Sequence, residues 1–78
     1  MIDPEGPDPL YMQLVAVLRE RIEKGVYPPN RPVPSITSLQ QEFGLARGTI
    51  IHAIEVLREE GTVRTVQGRG TFVAPKEA

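Results

Sequence analysis

The sequence predicts a mainly α fold, three helices closed by a small β-hairpin, folded as one domain. Two patterns carry that expectation. Apolar residues recur every three or four positions through three stretches, each bounded by a capping residue or a glycine. The last part of the chain then changes to two short β-branched runs on either side of Gln67-Gly68-Arg69-Gly70. Length sets a third limit. A chain of 78 residues, 40% of them hydrophobic, buries only roughly 60–65% of the surface it exposes when unfolded, so its core must be compact.

Residues 1–8 hold prolines, a glycine and the acids Asp3, Glu5 and Asp8, and are expected to form a flexible N-terminal arm. Asp8-Pro9 marks a helix start, Asp8 as a cap for free amides and Pro9 as a first-turn residue that sacrifices no hydrogen bond. Leu10, Leu14, Leu18 and Ile22 follow at four-residue spacing, flanked by Tyr11, Val15 and Val17, until Gly25 permits a left-handed C-terminal turn. Pro28-Pro29-Asn30-Arg31-Pro32 reads as a turn with Asn30 at positive φ, and Val33 as a very short strand. Ser35 caps a second helix over Ile36–Glu42, with Leu39 and Phe43 on its buried side and Gly44 at its end. Leu45 lies in a tight turn before a third helix, Arg47 to Glu60, stopped by Gly61. Two helices joined in this way form a helix-turn-helix. Thr62–Val66 and Thr71–Ala74 are the strands of the hairpin, or wing, with Val63 and Phe72 expected to pack on Ile54 and Leu57. The three-helix winged helix-turn-helix is thus expected over residues 9–74, with 75–78 a tail that is either the start of a linker or a natural end.

Composition excludes several functions. The absence of cysteine removes disulfides, thiolate metal sites and thiol catalysis, and one histidine cannot make a metal cluster. A core this small leaves no room for a cofactor cavity of the usual ~300 Å³ or more, so no cofactor is expected. No nucleophile–base pair is suggested, Ser35 and Ser38 being cap and helix-start residues, so the chain is not read as an enzyme. No apolar run approaches the ~20 residues of a membrane span, and Met1-Ile2-Asp3-Pro4 has none of the features of a signal peptide. A cytoplasmic location is expected. The net charge of −1 counts against a nucleic-acid partner. The distribution softens that objection, since three of the acids sit in the first eight residues and the arginines after Gly44 fall mainly at the two tips of that span.

The third helix has a distinct outer face. With Ile50 at zero and about 100° per residue, Ile54, Leu57 and Ala53 fall within about 60° of it and form the apolar stripe. Gly48, His52 and Glu59 lie opposite, at about 160–200°, while Ile51 and Thr49 sit at the two borders. The first two turns therefore present Arg47, Gly48, Thr49, Ile51 and His52, and the acids come later, the order that suits a helix inserting its N-terminal end into a major groove. Gly48 costs about 1 kcal/mol against Ala inside a helix. Either its missing side chain permits close approach to a phosphate or base edge, or it is a neutral change at a frayed helix start. Ile51 is expected to be partly buried against the hairpin, with contact to a thymine methyl as the other reading. His52 reads as a solvated polar residue or base-edge donor rather than a catalyst, with Glu55 and Glu59 as its available partners. At the hairpin tip, a tight turn explains Gly68 and Gly70 but not the cation Arg69 between them, which suits a phosphate or a narrow groove.

The segments Pro9-Leu10-Tyr11-x-Gln13, Pro34-Ser35, Leu39, Phe43-Gly44, Arg47-x-Thr49, Ala53, Leu57, Glu60-Gly61 and Gln67-Gly68-Arg69-Gly70-Thr71-Phe72-Val73 together resemble the N-terminal domain of GntR transcription regulators of bacteria, from about Pro9 to Val73. The resemblance implies a three-helix winged fold that binds palindromic operator DNA as a homodimer, with Arg47, Thr49 and the hairpin tip at the DNA. The candidate duplex-contacting residues are then Ser35, Thr37, Arg47, Gly48, Thr49, Ile51, His52, Gln67, Gly68, Arg69 and Gly70. The chain departs from the family pattern at several of these places. Ile36-Thr37-Ser38 stands where an acidic-Arg-acidic run is usual, so Thr37 replaces a DNA-touching arginine. Pro32 takes a position that is often basic, Gly48 one that is commonly Thr, and Ala46 replaces the usual capping Ser or Thr, at roughly 0.5–2 kcal/mol of helix-start stability. Relatives carry a second domain after the wing that binds a metabolite and holds the dimer. The chain is either the DNA-binding part of such a regulator or a naturally short one. The competing function is a winged helix used as a protein-interaction module without specific DNA binding, since fold does not dictate function.

Overall fold

The computed structural model describes residues 2–75. It contains α1 (Leu10–Glu23), α2 (Ile36–Phe43), α3 (Arg47–Glu59) and an antiparallel pair, β1 (Val63–Val66) and β2 (Gly70–Val73). The expected three helices and hairpin are present, with ends displaced by a residue or two where caps compete. Of the expected tail, 76–78 lie outside the described residues.

The start of α1 differs from expectation. Asp8 does not cap it. Pro9 is the N-cap, and its carbonyl accepts from the amides of Met12 and Gln13, both at 3.1 Å. The Gln13 side chain ties the segment before the helix to its first turn. Its Nε2 donates to the carbonyls of Asp3 at 2.7 Å and Asp8 at 2.9 Å, while its Oε1 accepts from the Asp3 amide at 2.6 Å. An amide side chain offers two donors and an acceptor, and here all of these engage the N-terminal segment. The segment expected as a flexible arm is hydrogen-bonded to α1 at Asp3 and Asp8, and Ile2 packs on the core.

α1 and α3 end alike. Gly25 and Gly61 have φ of 83° and 84°, and the chain folds back by paired bonds, Gly25 to Ile22 with Val26 to Arg21, and Gly61 to Arg58 with Thr62 to Leu57. Glycine adopts that left-handed turn at no steric cost. Ser35 caps α2 as expected, its Oγ accepting from the Ser38 amide at 3.1 Å. Ala46 precedes α3 without any side-chain cap.

The core joins Leu14, Val15 and Leu18 of α1, Leu39 of α2, Ile50, Ala53 and Leu57 of α3, and Val63 of β1. Three of the four predicted stripe residues of α3 are buried, while Ile54 is only partly so. The wing packs differently from expectation. Val63 pairs with Val73 in the ladder, and both are buried. Because side chains alternate along a strand, Phe72 falls on the opposite face, half-buried, and Val73 takes the inward place expected of it.

The wing is also tied to the α1–α2 connection. The Asn30 amide donates to Val73 O, the Val73 amide to Arg31 O and the Val33 amide to Thr71 O, at 2.9–3.0 Å, and Pro32 bridges to Phe72. Asn30 has the expected positive φ, 65°. Residues 30–33 thus cover the outer edge of β2, where the missing N–H of Pro32 is tolerated. This pairing sets the wing beside the N-terminus of α2.

Candidate nucleic-acid interface

Three elements meet at an open cleft of about 370 Å³. Its walls are Pro32 to Thr37 at the start of α2, Arg47 and Ile54 of α3, and Arg69, Gly70 and Thr71 at the wing. Five candidate residues, Ser35, Thr37, Arg47, Arg69 and Gly70, therefore share one surface. The chain does hold clefts above ~300 Å³, contrary to expectation, but they are open grooves between elements and not enclosures within the core.

The other candidates lie around this cleft. Ile51 is half-buried in a neighbouring groove with Ile36, Ile54, Glu55, Arg58, Thr65 and Thr71, the expected burial against the hairpin. Thr49 is half-buried, Gly48 and His52 are exposed on the outer face of α3, and Gln67 and Gly68 are exposed at the tip. A Cβ added at Gly48 would meet nothing within 4 Å, and the backbone there is ordinary helix. Neither packing nor conformation within the chain requires this glycine, so its cost of about 1 kcal/mol is not repaid inside the domain.

The wing tip is built as a tight turn. The Arg69 amide donates to Val66 O at 2.9 Å, and Gly68 and Gly70 have φ of 79° and 114°. The turn thus accounts for both glycines, as a left-handed position demands. It places no requirement on Arg69, whose exposed side chain is left to serve something else.

Among the described residues, the cations divide into a paired set and an unpaired one. On α1, Arg19 grips Glu60 with two bonds, Nε to Oε1 at 3.0 Å and a terminal nitrogen to Oε2 at 2.7 Å. Arg21 binds Glu42, donates to the Tyr27 hydroxyl at 2.7 Å and lies over the Phe43 ring. Lys24 pairs with Glu20. Hydrogen bonding to these cations holds the carboxyls of Glu20, Glu42 and Glu60 below their ordinary range, and the same bonds raise Arg19, Arg21 and Lys24. By contrast, Arg31, Arg47, Arg58, Arg64 and Arg69 are exposed and form no ion pair among the described residues. The net charge of −1 does not report this division, because three cations paired with three acids leave the sum unchanged.

One contact was not visible in the sequence. The His52 ring stacks on Tyr11 of α1, with centroids 3.8 Å apart and planes 15° from parallel. Neither Glu55 nor Glu59 engages it among the described residues. Tyr11 stood out as a flank of the apolar stripe of α1 and as part of the Pro9-Leu10-Tyr11-x-Gln13 segment, and nothing local reports where α1 crosses α3.

Known proteins share both sequence and fold. The family described as bacterial regulatory proteins, gntR family, matches residues 10–73. The histidine utilization repressor of Pseudomonas putida is 41% identical over 70 residues, spanning 90% of this chain and 28% of that protein. The HTH-type transcriptional repressor NagR of Bacillus subtilis is 36% identical over 73 residues, spanning 94% of this chain and 30% of that protein. The chain thus spans less than a third of the length of these relatives. A crystal structure described as AraR(DBD) in complex with operator ORX1 superposes with a TM-score of 0.86 at 35% identity, covering 95% of each chain. With its family signature running through all three helices and the wing, the chain belongs to the gntR family of bacterial regulatory proteins.

Proposed function

We propose that the chain is the sequence-specific DNA-binding module of a transcription regulator, with the first two turns of α3 in the major groove and the wing tip in the minor groove or on phosphates. The observation that carries this is the cleft at which Arg47 and Arg69, from separate elements, converge without an internal carboxylate partner. Arginines left unpaired and exposed on one surface suit a polyanion, and the same fold occurs in a domain solved with operator DNA. Thr37 supplies a hydroxyl for a phosphate contact at the α2 end of the cleft, where Ser35 caps the helix through its bonds to Ser38, and Gly48 lets the α3 backbone come close to the duplex. We further propose that two copies act together in the cytoplasm on a palindromic operator, since few cations serve each copy and a single one would bind modestly.

Selection of bound duplexes from a random pool tests this reading. Enrichment of an inverted repeat, with half-sites about one helical turn or a multiple apart, is the expected result. The competing reading, a winged helix that binds protein, is favoured by Thr37, which brings no charge to the cleft. A pool that enriches no motif even at low salt would decide for it.

A further inference from the structure

We infer that His52 is a specificity-determining residue of α3 and that Tyr11, through the ring stack, is the positioning residue that holds it; this rests on the duplex-binding reading above. His52 lies four residues after Gly48, so the two share the outer face of α3, one turn apart. The position of Gly48 is bare, leaving the approach to His52 from the helix N-terminus open. An exposed histidine ordinarily changes rotamer on the picosecond to nanosecond scale. Here the stack at 3.8 Å and 15° fixes the plane of the ring. Tyr11 is a firm support, because it is half-buried, packs against the core and stands in the turn that Gln13 braces to Asp3 and Asp8.

Stacking occupies one face of the imidazole of an exposed residue and engages neither nitrogen. Neither nitrogen has a hydrogen-bond partner among the described residues. A neutral imidazole offers one N–H donor and one acceptor at its edge. The ligand chemistry it fits is a purine in the major groove, whose N7 accepts a hydrogen bond, with O6 beside it in guanine. The orientation set by Tyr11 then decides which base pair of the half-site is read. Tyr11 touches no DNA in this scheme, and acts only through His52.

The test uses the selected duplex and a set in which each base pair of the half-site is replaced in turn. Binding is measured for the parent chain, His52→Ala, Tyr11→Phe and Tyr11→Leu, with thermal melting as a check on folding. The parent should discriminate roughly tenfold at one base-pair position, the usual scale for a single mismatch. His52→Ala should flatten that position alone, Tyr11→Leu should flatten the same position, and Tyr11→Phe, which keeps the stack, should preserve it. The ring protons of His52 should show an upfield ring-current shift by NMR that survives in Tyr11→Phe and is absent from Tyr11→Leu. Tyr11→Leu retains apolar packing, and the exposed His52 can be changed without disturbing the core; if Tyr11→Leu melts early, His52→Ala still decides the base reading, and the ring-current shift of His52 in the parent and Tyr11→Phe decides the stack. An unchanged base profile in His52→Ala, or a Tyr11→Leu that weakens all duplexes equally, overturns the inference while leaving DNA binding intact. A parent chain without base preference overturns this inference together with the reading beneath it.

Discussion

The same residue type does opposite work on two faces of this domain. On α1, Arg19 and Arg21 reach across to Glu60 and Glu42, and tie α1 to the end of α3 and the end of α2. Around the cleft, Arg47 and Arg69 form no ion pair with a carboxylate among the described residues. The first pair gives its charge to the fold. The second leaves its charge unpaired, which the proposed function assigns to the duplex. Net charge, which adds the two faces together, is therefore a poor guide to what the domain binds, and the placement of each cation is the quantity that matters.

The widest separation between the faces should appear on DNA. Arg47→Ala and Arg69→Ala are each expected to cost about 1–3 kcal/mol of operator binding, and the salt slope should fall by about 0.9 for every phosphate no longer neutralised. Neither should change thermal stability by more than about 0.5 kcal/mol, as for other exposed side chains without partners. Fluorescence anisotropy at several salt concentrations, beside a melting curve, measures both. Arg21→Ala should behave in the reverse sense. It removes the Glu42 pair, the Tyr27 hydrogen bond and the packing on Phe43, so a stability decrease of roughly 1 kcal/mol is expected, with the affinity and salt slope of the folded fraction unchanged. A changed slope would merge the two faces and break the comparison.

Gly48→Ala sharpens it further. The new methyl meets nothing in the folded chain, so the variant should gain about 0.5–1 kcal/mol of stability from helix propensity and yet bind operator DNA several-fold more weakly. A gain in stability with full binding would leave Gly48 without a function. The smallest effect concerns acid. Glu60 has its pKa lowered in the folded state, chiefly by the hydrogen bond from Arg19. The pair therefore contributes stability above the ordinary glutamate range, and that contribution fades as pH falls through the lowered value. Because both side chains are about a third exposed or more, Arg19→Gln should cost only about 0.5 kcal/mol near neutrality. The deficit should vanish in urea titrations run in acid.

What the sequence made legible was local. Ser35 as a cap, Gly25, Gly44 and Gly61 as helix ends, and Asn30 at positive φ all follow from the conformational preferences of single residues. The period of α3 located Ile50, Ala53 and Leu57 correctly because burial on a helix repeats with its turn. The misses share a cause. Phe72 and Val73 exchange roles through the strand register, which a single run of residues does not specify. Gln13 reaches back ten residues to Asp3, and Arg19 reaches forward 41 residues to Glu60. Tyr11 meets His52 only because α1 and α3 cross where they do. Asp8 looked like a cap, but the carbonyl of Pro9 accepts from the amides of Met12 and Gln13, and the Asp8 carbonyl instead accepts from the Gln13 side chain. The cleft itself was legible only in part, since the sequence pointed to its arginines while the strand-like pairing of residues 30–33 with β2 brings them together.

The central claim is that the cleft face, and not the paired face of α1, meets the duplex. Titration of the selected DNA into the isotopically labelled chain, followed by NMR, tests it most directly. Backbone amides at 35–37, 47–52 and 67–70 should move with a common affinity, while the side-chain signals of Arg19 and Arg21 stay where they are. Movement confined to those two arginines and their glutamates, with the cleft silent, would contradict the account.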